Sequence, residues 1–177
     1  MTWRPPRSPA SLVALLALIA RCVLASPAAG DDTAPAPRFF FSGDGVIDLY
    51  NAHFDEHLTV RYRDVDGHYD PAELARVERF FRSRSDGKSG PLSLRLVELI
   101  DFVQDRYRPS RLTLVSGYRS PELNQSLRGA GHRVAQASLH TEGLAADLHP
   151  DGIDLHSLWL ELRTQAVGGV EIGRAHV

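Results

Sequence analysis

The chain has 177 residues, 43% hydrophobic and 24% charged, which is enough for one domain with a real core and too few for two. Its formal charge of −2 lacks the basic excess of a nucleic-acid binder and excludes that class of partner. With one cysteine, Cys22, it cannot be a disulfide-stapled scaffold.

Arg4 and Arg7 form a basic start, and Leu12 to Ala20 is an apolar run too short to span a bilayer. Val23-Leu24-Ala25 then offers compact residues to a signal peptidase. Residues 1–25 are therefore expected to be an export signal cut before Ser26, sending the protein to the periplasm or cell envelope with no stable membrane insertion. Arg21, directly before Cys22, does not suit a lipidation site. Cleavage removes three arginines and the cysteine, so the mature chain would carry a charge of −5 and no thiol for catalysis or metal binding. Residues 26–38, rich in Ala, Pro and Asp, read as a disordered linker.

Val46 to Tyr50 and His57 to Tyr62 read as two strands joined by a polar loop. After the turn at Asp66-Gly67, Asp70-Pro71-Ala72-Glu73 supplies an N-cap, a first-turn proline and an acid, and so opens a helix. Leu74, Val77, Phe80 and Phe81 fall on its packing face. A loop over Ser85 to Pro91 leads to a second helix, with Leu96, Leu99, Ile100, Val103 and Tyr107 on the side expected to be buried. Leu112 to Ser116 is a short apolar strand, Ser120-Pro121 starts a brief helix ending at Gly129, and Gly143 to Leu148 reads as another strand. Leu155, Leu158, Trp159 and Leu162 mark a last amphipathic helix before Gly168-Gly169. Without a regular βαβ alternation, an α+β fold is expected over residues 39–170.

Two segments carry candidate chemistry: Ser116-Gly117-Tyr118-Arg119-Ser120-Pro121 with Asn124, and Ser138 to Asp147 (SLHTEGLAAD). Zinc accepts imidazole nitrogen and carboxylate oxygen, and hydrolytic sites use three protein ligands plus water. His140 in a loop and Asp147 after a glycine turn can converge on one ion, with Gly143, Ala145 and Ala146 leaving room for backbone and substrate. The His–Asp spacing alone is weak, because most such pairs are surface coincidences.

Taken together, SGYRSP, Asn124 and SxHxxGxAxD resemble the M15 group of zinc D-Ala-D-Ala-type peptidases, in particular its murein endopeptidase branch of DUF882 or MepK-like proteins. Leu49 to His53, Val60-Arg61-Tyr62, Tyr69-Asp70-Pro71 and Leu127-Arg128-Gly129 extend the likeness over residues 47–170. The resemblance implies a small, mostly antiparallel sheet with flanking helices, as in hedgehog domains and D-Ala-D-Ala peptidases. It makes His140 and Asp147 the first two zinc ligands, and it sets Arg119 facing substrate near the metal, against a bland role in an ion pair. Ser138 would orient a ligand or contact substrate, or simply cap its loop. Tyr118 and Asn124 fit structural roles. The implied reaction is metal-assisted amide hydrolysis in cross-linked peptidoglycan stems, with a nearby acid or histidine taking the proton.

In that family the third ligand is a histidine beyond a GGVG-type turn. Here Gly168-Gly169-Val170 is followed by Glu171 to Val177 (EIGRAHV), and His176 falls short of the family interval, so it is a doubtful ligand. EIGRAHV is also one reading frame of a common sequencing adapter. Residues 171–177 are thus expected to be an assembly artefact, and the chain as given is expected to be inactive; resequencing past the Val170 codon tests this. His149 reads as a rim residue, and His53, His57, His68, His132 and His156 as surface or loop residues. The acids from Asp64 to Asp70 lack EF-hand spacing. Hedgehog domains share the SxHxxGxAxD arrangement and keep zinc without an established hydrolytic role. A non-catalytic, zinc-containing cell-wall-binding module is therefore the competing function.

Overall fold

A computed structural model describes residues 41–130, 138–165 and 168–172. The expected signal and linker, His132 and His176 lie outside the described residues. Strand β1 (Val46–Asn51) and strand β2 (Glu56–Arg61) form an antiparallel hairpin in which Ile47, Leu49, Leu58 and Val60 share the buried face. That alternation is what a half-buried strand requires. Asn51 closes the hairpin: its side-chain oxygen accepts from the backbone N–H groups of His53 and Phe54 at 3.0 and 3.3 Å, and its amide donates to the Phe80 carbonyl at 2.9 Å.

Helix α1 (Pro71–Phe80) begins as its sequence demands. The Asp70 carboxylate accepts from the Ala72 and Glu73 N–H groups at 2.8 and 3.2 Å, satisfying donors that the first turn leaves open. Val77, Phe80 and Phe81 enter the core beside the β1–β2 face. Helix α2 (Leu94–Tyr107) ends at Arg108 in the left-handed conformation, φ 49°. Its fully buried stripe is Val97, Glu98, Ile100 and Asp101, whereas Leu96, Leu99, Val103 and Tyr107 are only partly buried. The helix is rotated from its apolar pattern because both acids have partners inside. Arg63 Nε donates to Glu98 at 2.9 Å, and the Tyr62 hydroxyl donates to Asp101 at 2.6 Å.

Strand β3 (Leu112–Ser116) lies parallel to β1 and antiparallel to β4 (Asp147–Pro150), giving the sheet order β2-β1-β3-β4. This small mixed sheet with helices α3 (Pro121–Gly129) and α4 (Leu155–Gln165) completes the expected α+β fold. The last strand starts later than its sequence suggests. Leu139–Glu142 forms a short 3₁₀ turn, and Gly143 caps it with a φ of 67°. The Gly143 carbonyl accepts from Ser93 N–H at 2.9 Å, and a Cβ there would collide with the Pro91 carbonyl. Glycine is required at that approach, and its left-handed backbone postpones the strand to Asp147.

Candidate metal centre

The register between β3 and β4 shifts at the end of β3, where Leu114 pairs with Leu148 but Ser116 pairs with Asp147. Irregularities of this kind re-aim side chains at strand ends; here the shift sets the Asp147 carboxylate beside the turn leaving β3. In that turn Gly117 packs on the chain following α1, where an added Cβ would lie 2.5 Å from the Phe81 carbonyl oxygen. The same carbonyl accepts from Tyr118 N–H at 2.7 Å. Tyr118 is half-buried with its ring over Gly90, and Asn124 is buried in the first turn of α3, in keeping with structural roles.

Two hydrogen bonds tie the turn to the 3₁₀ segment. Arg119 N–H donates to the His140 carbonyl at 3.1 Å, and His140 Nδ1 lies 2.9 Å from the Gly117 carbonyl. A carbonyl only accepts, so Nδ1 carries a proton, and in the neutral tautomer Nε2 holds the lone pair. Nε2 faces Asp147 Oδ1 at 3.6 Å. This is longer than a hydrogen bond, yet close to the ~3.3 Å that separates two ligand atoms on one tetrahedral ion with bonds of about 2.0–2.1 Å. A backbone carbonyl fixing the far nitrogen of an imidazole is also the usual support of a metal-binding histidine. The His140 side chain is 13% exposed and that of Asp147 is 57% exposed, so one donor is anchored and the other is open to solvent. The pair would supply two of the three protein donors that a hydrolytic zinc site uses.

The other expected site residues assemble around this pair. Arg119 Nη1 lies 3.3 Å from the hydroxyl of Ser138, which is itself buried. Burial lowers the Arg119 pKa, while the charge of Asp147 acts the other way. Ser138 also organises the turn, its carbonyl accepting from the Thr141 hydroxyl at 2.6 Å and the Thr141 N–H at 2.8 Å. Arg119, Ser138, His140 and Asp147 are therefore brought together from two loops and a strand end. His149 is engaged elsewhere, 3.2 Å from Asp151. Among the described residues, no third His, Asp or Glu joins His140 and Asp147 in a metal-sized group. The Gly117 carbonyl is the functional group that sequence reasoning missed; its signal was the glycine at the end of an apolar strand.

A family profile described as peptidoglycan L,D-endopeptidase MepK matches residues 42–173. Proteins named peptidoglycan L,D-endopeptidase MepK from Escherichia coli K12, Escherichia coli O157:H7 and Shigella flexneri are each 31% identical over 149 residues, covering 84% of this chain and 78% of theirs. No solved structure matches significantly. A profile that takes in both the Arg119 turn and the His140–Asp147 pair, supported by relatives at this identity, shows that the chain belongs to the peptidoglycan L,D-endopeptidase MepK family.

Proposed function

We propose that this protein is a zinc-dependent endopeptidase that hydrolyses an amide between an L- and a D-configured centre in cross-linked peptidoglycan stems. The observation that carries the metal is the His140–Asp147 geometry: an imidazole pinned through Nδ1, its free Nε2 3.6 Å from a carboxylate oxygen. The substrate rests on the printed activity of the MepK relatives. Zinc held by His140 and Asp147 would supply a Lewis acid and a water that ionises near neutral pH.

The chain's own groups do the rest. The Gly117 carbonyl fixes the His140 ring through Nδ1, which directs Nε2 toward Asp147. Arg119 sets a permanent positive charge beside the pair, where negative charge builds on the oxygen of an amide under attack. Ser138 restrains that guanidinium through its hydroxyl. A substrate in the wall supports a location in the cell envelope; among the described residues no helix is long and apolar enough to cross a membrane.

Digestion of purified cross-linked muropeptides by the full-length protein, with and without a chelator, tests the reading. Cleavage of the L,D link that a chelator abolishes and added zinc restores is the expected result. Cleavage indifferent to chelation would remove the metal. No cleavage by zinc-loaded protein, with retained binding to the wall, would favour the non-catalytic module.

A further inference from the structure

We propose that Arg84, on the loop after α1, is a substrate-recognition residue that binds a free carboxylate of the peptide stem next to the amide served by Arg119. This rests on the endopeptidase reading and adds the group that selects the substrate.

The argument starts with two buried serines. Ser83 and Ser120 are both fully buried and their hydroxyls meet at 3.3 Å. Ser83 donates its hydroxyl proton to Ser120, and although desolvation raises the neighbouring Asp86 carboxyl, the polar groups around it, these hydroxyls among them, hold it below the ordinary range. One serine directly precedes Arg84 and the other directly follows Arg119, so this contact locks the backbones of the two arginines side by side. Ser83 is held further by its N–H to the Lys88 carbonyl at 2.8 Å and by Gly87 N–H to its own carbonyl at 2.9 Å. Arg84 thus sits on a braced loop.

The cations around it are already committed. Arg82 makes a two-pronged pair with Glu56 at 2.7 and 2.8 Å and lies 3.7 Å over the Phe54 ring. Lys88 pairs with Glu122 at 2.9 Å. Arg84 forms no ion pair among the described residues, and its charge is felt unfavourably at Arg119. It lines a shallow cleft with Ser116, Gly117 and Tyr118, and the Gly117 carbonyl is the group that holds His140. An exposed guanidinium with no ion pair among the described residues, on a braced backbone and close enough for its charge to act on Arg119, has the planar donor fork that a carboxylate fits.

The experiment compares a cross-linked stem peptide bearing its free carboxylate with the same peptide amidated at that group. Wild-type enzyme is expected to favour the acid by about tenfold in kcat/KM, through KM. Arg84→Gln should erase the preference with kcat within about twofold, and Arg84→Lys should keep part of it. Equilibrium binding of both peptides to a His140→Ala variant reads the same preference without turnover. Equal binding of acid and amide, or an unchanged preference in Arg84→Gln, would overturn the proposal. Absence of turnover by the full-length, zinc-loaded protein, with a retained, Arg84-dependent preference, would instead sink the endopeptidase reading alone.

Discussion

The protein handles charge in opposite ways at two places. Where β2 runs on to meet α2, Arg63 and Glu98 are 2% and 0% exposed and bonded at 2.9 Å. Arg63 also donates to the Gly43 carbonyl at 2.6 Å, and the Tyr69 hydroxyl donates to Glu98 at 2.9 Å. At the far end of β3 the charges are left unsaturated: His140 and Asp147 stand 3.6 Å apart, and Arg119 holds a serine hydroxyl at 3.3 Å. Burial explains the difference. A charge taken out of water must be partnered at once, while a charge at a cleft mouth can wait for a ligand. The first region is a brace, and the second is the candidate site.

The sharpest way to break this contrast is to remove charge from each region. Replacing both His140 and Asp147 by alanine is expected to lower kcat/KM on cross-linked muropeptides by at least about 10³-fold, since a hydrolytic metal site without these donors cannot be assembled. The fold should barely register it, with Tm falling by no more than a few degrees, because the stability lost is mainly the Nδ1 bond to Gly117. Glu98→Ala should do the reverse. It strands Arg63 in the core and is expected to cost about 3–5 kcal/mol in urea unfolding, with activity per folded molecule unchanged. A Glu98→Ala protein of wild-type stability would show that the brace carries nothing.

The site was more legible than the brace, for physical reasons. Ser138, His140 and Asp147 lie within ten residues and Arg119 follows a recognisable strand, so the candidate residues sit in short segments, although the family resemblance and not their spacing singled them out. The hairpin and the Asp70-Pro71 helix start were equally plain, because alternation and capping are local signals. Glu98 and Asp101 were invisible as core residues: their partners, Arg63 and Tyr62, are 35 and 39 residues away, and an acid on a helix normally reads as solvent-facing. The Gly143 turn was read as strand because the collision that fixes its backbone comes from Pro91, far off in sequence. Arg84 offered no motif at all; its meaning comes from the Ser83–Ser120 contact across the fold.

Arg119 sharpens the comparison at intermediate size. Its guanidinium is not needed to seal a core, so Arg119→Ala should leave stability within about 1 kcal/mol while lowering kcat by about 10²-fold, the order seen when one oxyanion donor is removed. Ser138→Ala should move kcat in the same direction by only several-fold, since a 3.3 Å bond restrains Arg119 without charging it. Equal losses in the two variants, or losses confined to KM, would assign Arg119 to ground-state binding.

The smallest expected effect lies inside the brace, where one partnership is incomplete. Asp101 is buried, and burial is the main cause that raises its pKa to about 6; the charges of Asp105 and Asp44 push the same way, against the bonds from Tyr62 and Gly45. Its Oδ2 accepts both the Tyr62 hydroxyl at 2.6 Å and the Gly45 N–H at 2.9 Å. Among the described residues its Oδ1 has no donor, and together with Asp105 Oδ2 it faces Gly43. A carboxyl with a raised folded pKa binds its proton more tightly in the folded chain than in the unfolded one. Stability is therefore lost as pH climbs from about 4, the ordinary carboxyl value, through about 6, and the full cost is present above that. The substitution Asp101→Asn keeps an oxygen for both donors and turns an amide toward Asp105. The variant should be more stable than wild type by about 1 kcal/mol at pH 7.5, after allowing for the weaker bonds to a neutral acceptor. The gain should shrink steadily on acidification and vanish near pH 4. Urea midpoints of both proteins across that range would show it; a gain independent of pH would mean that packing, and not ionisation, is what Asp101 strains.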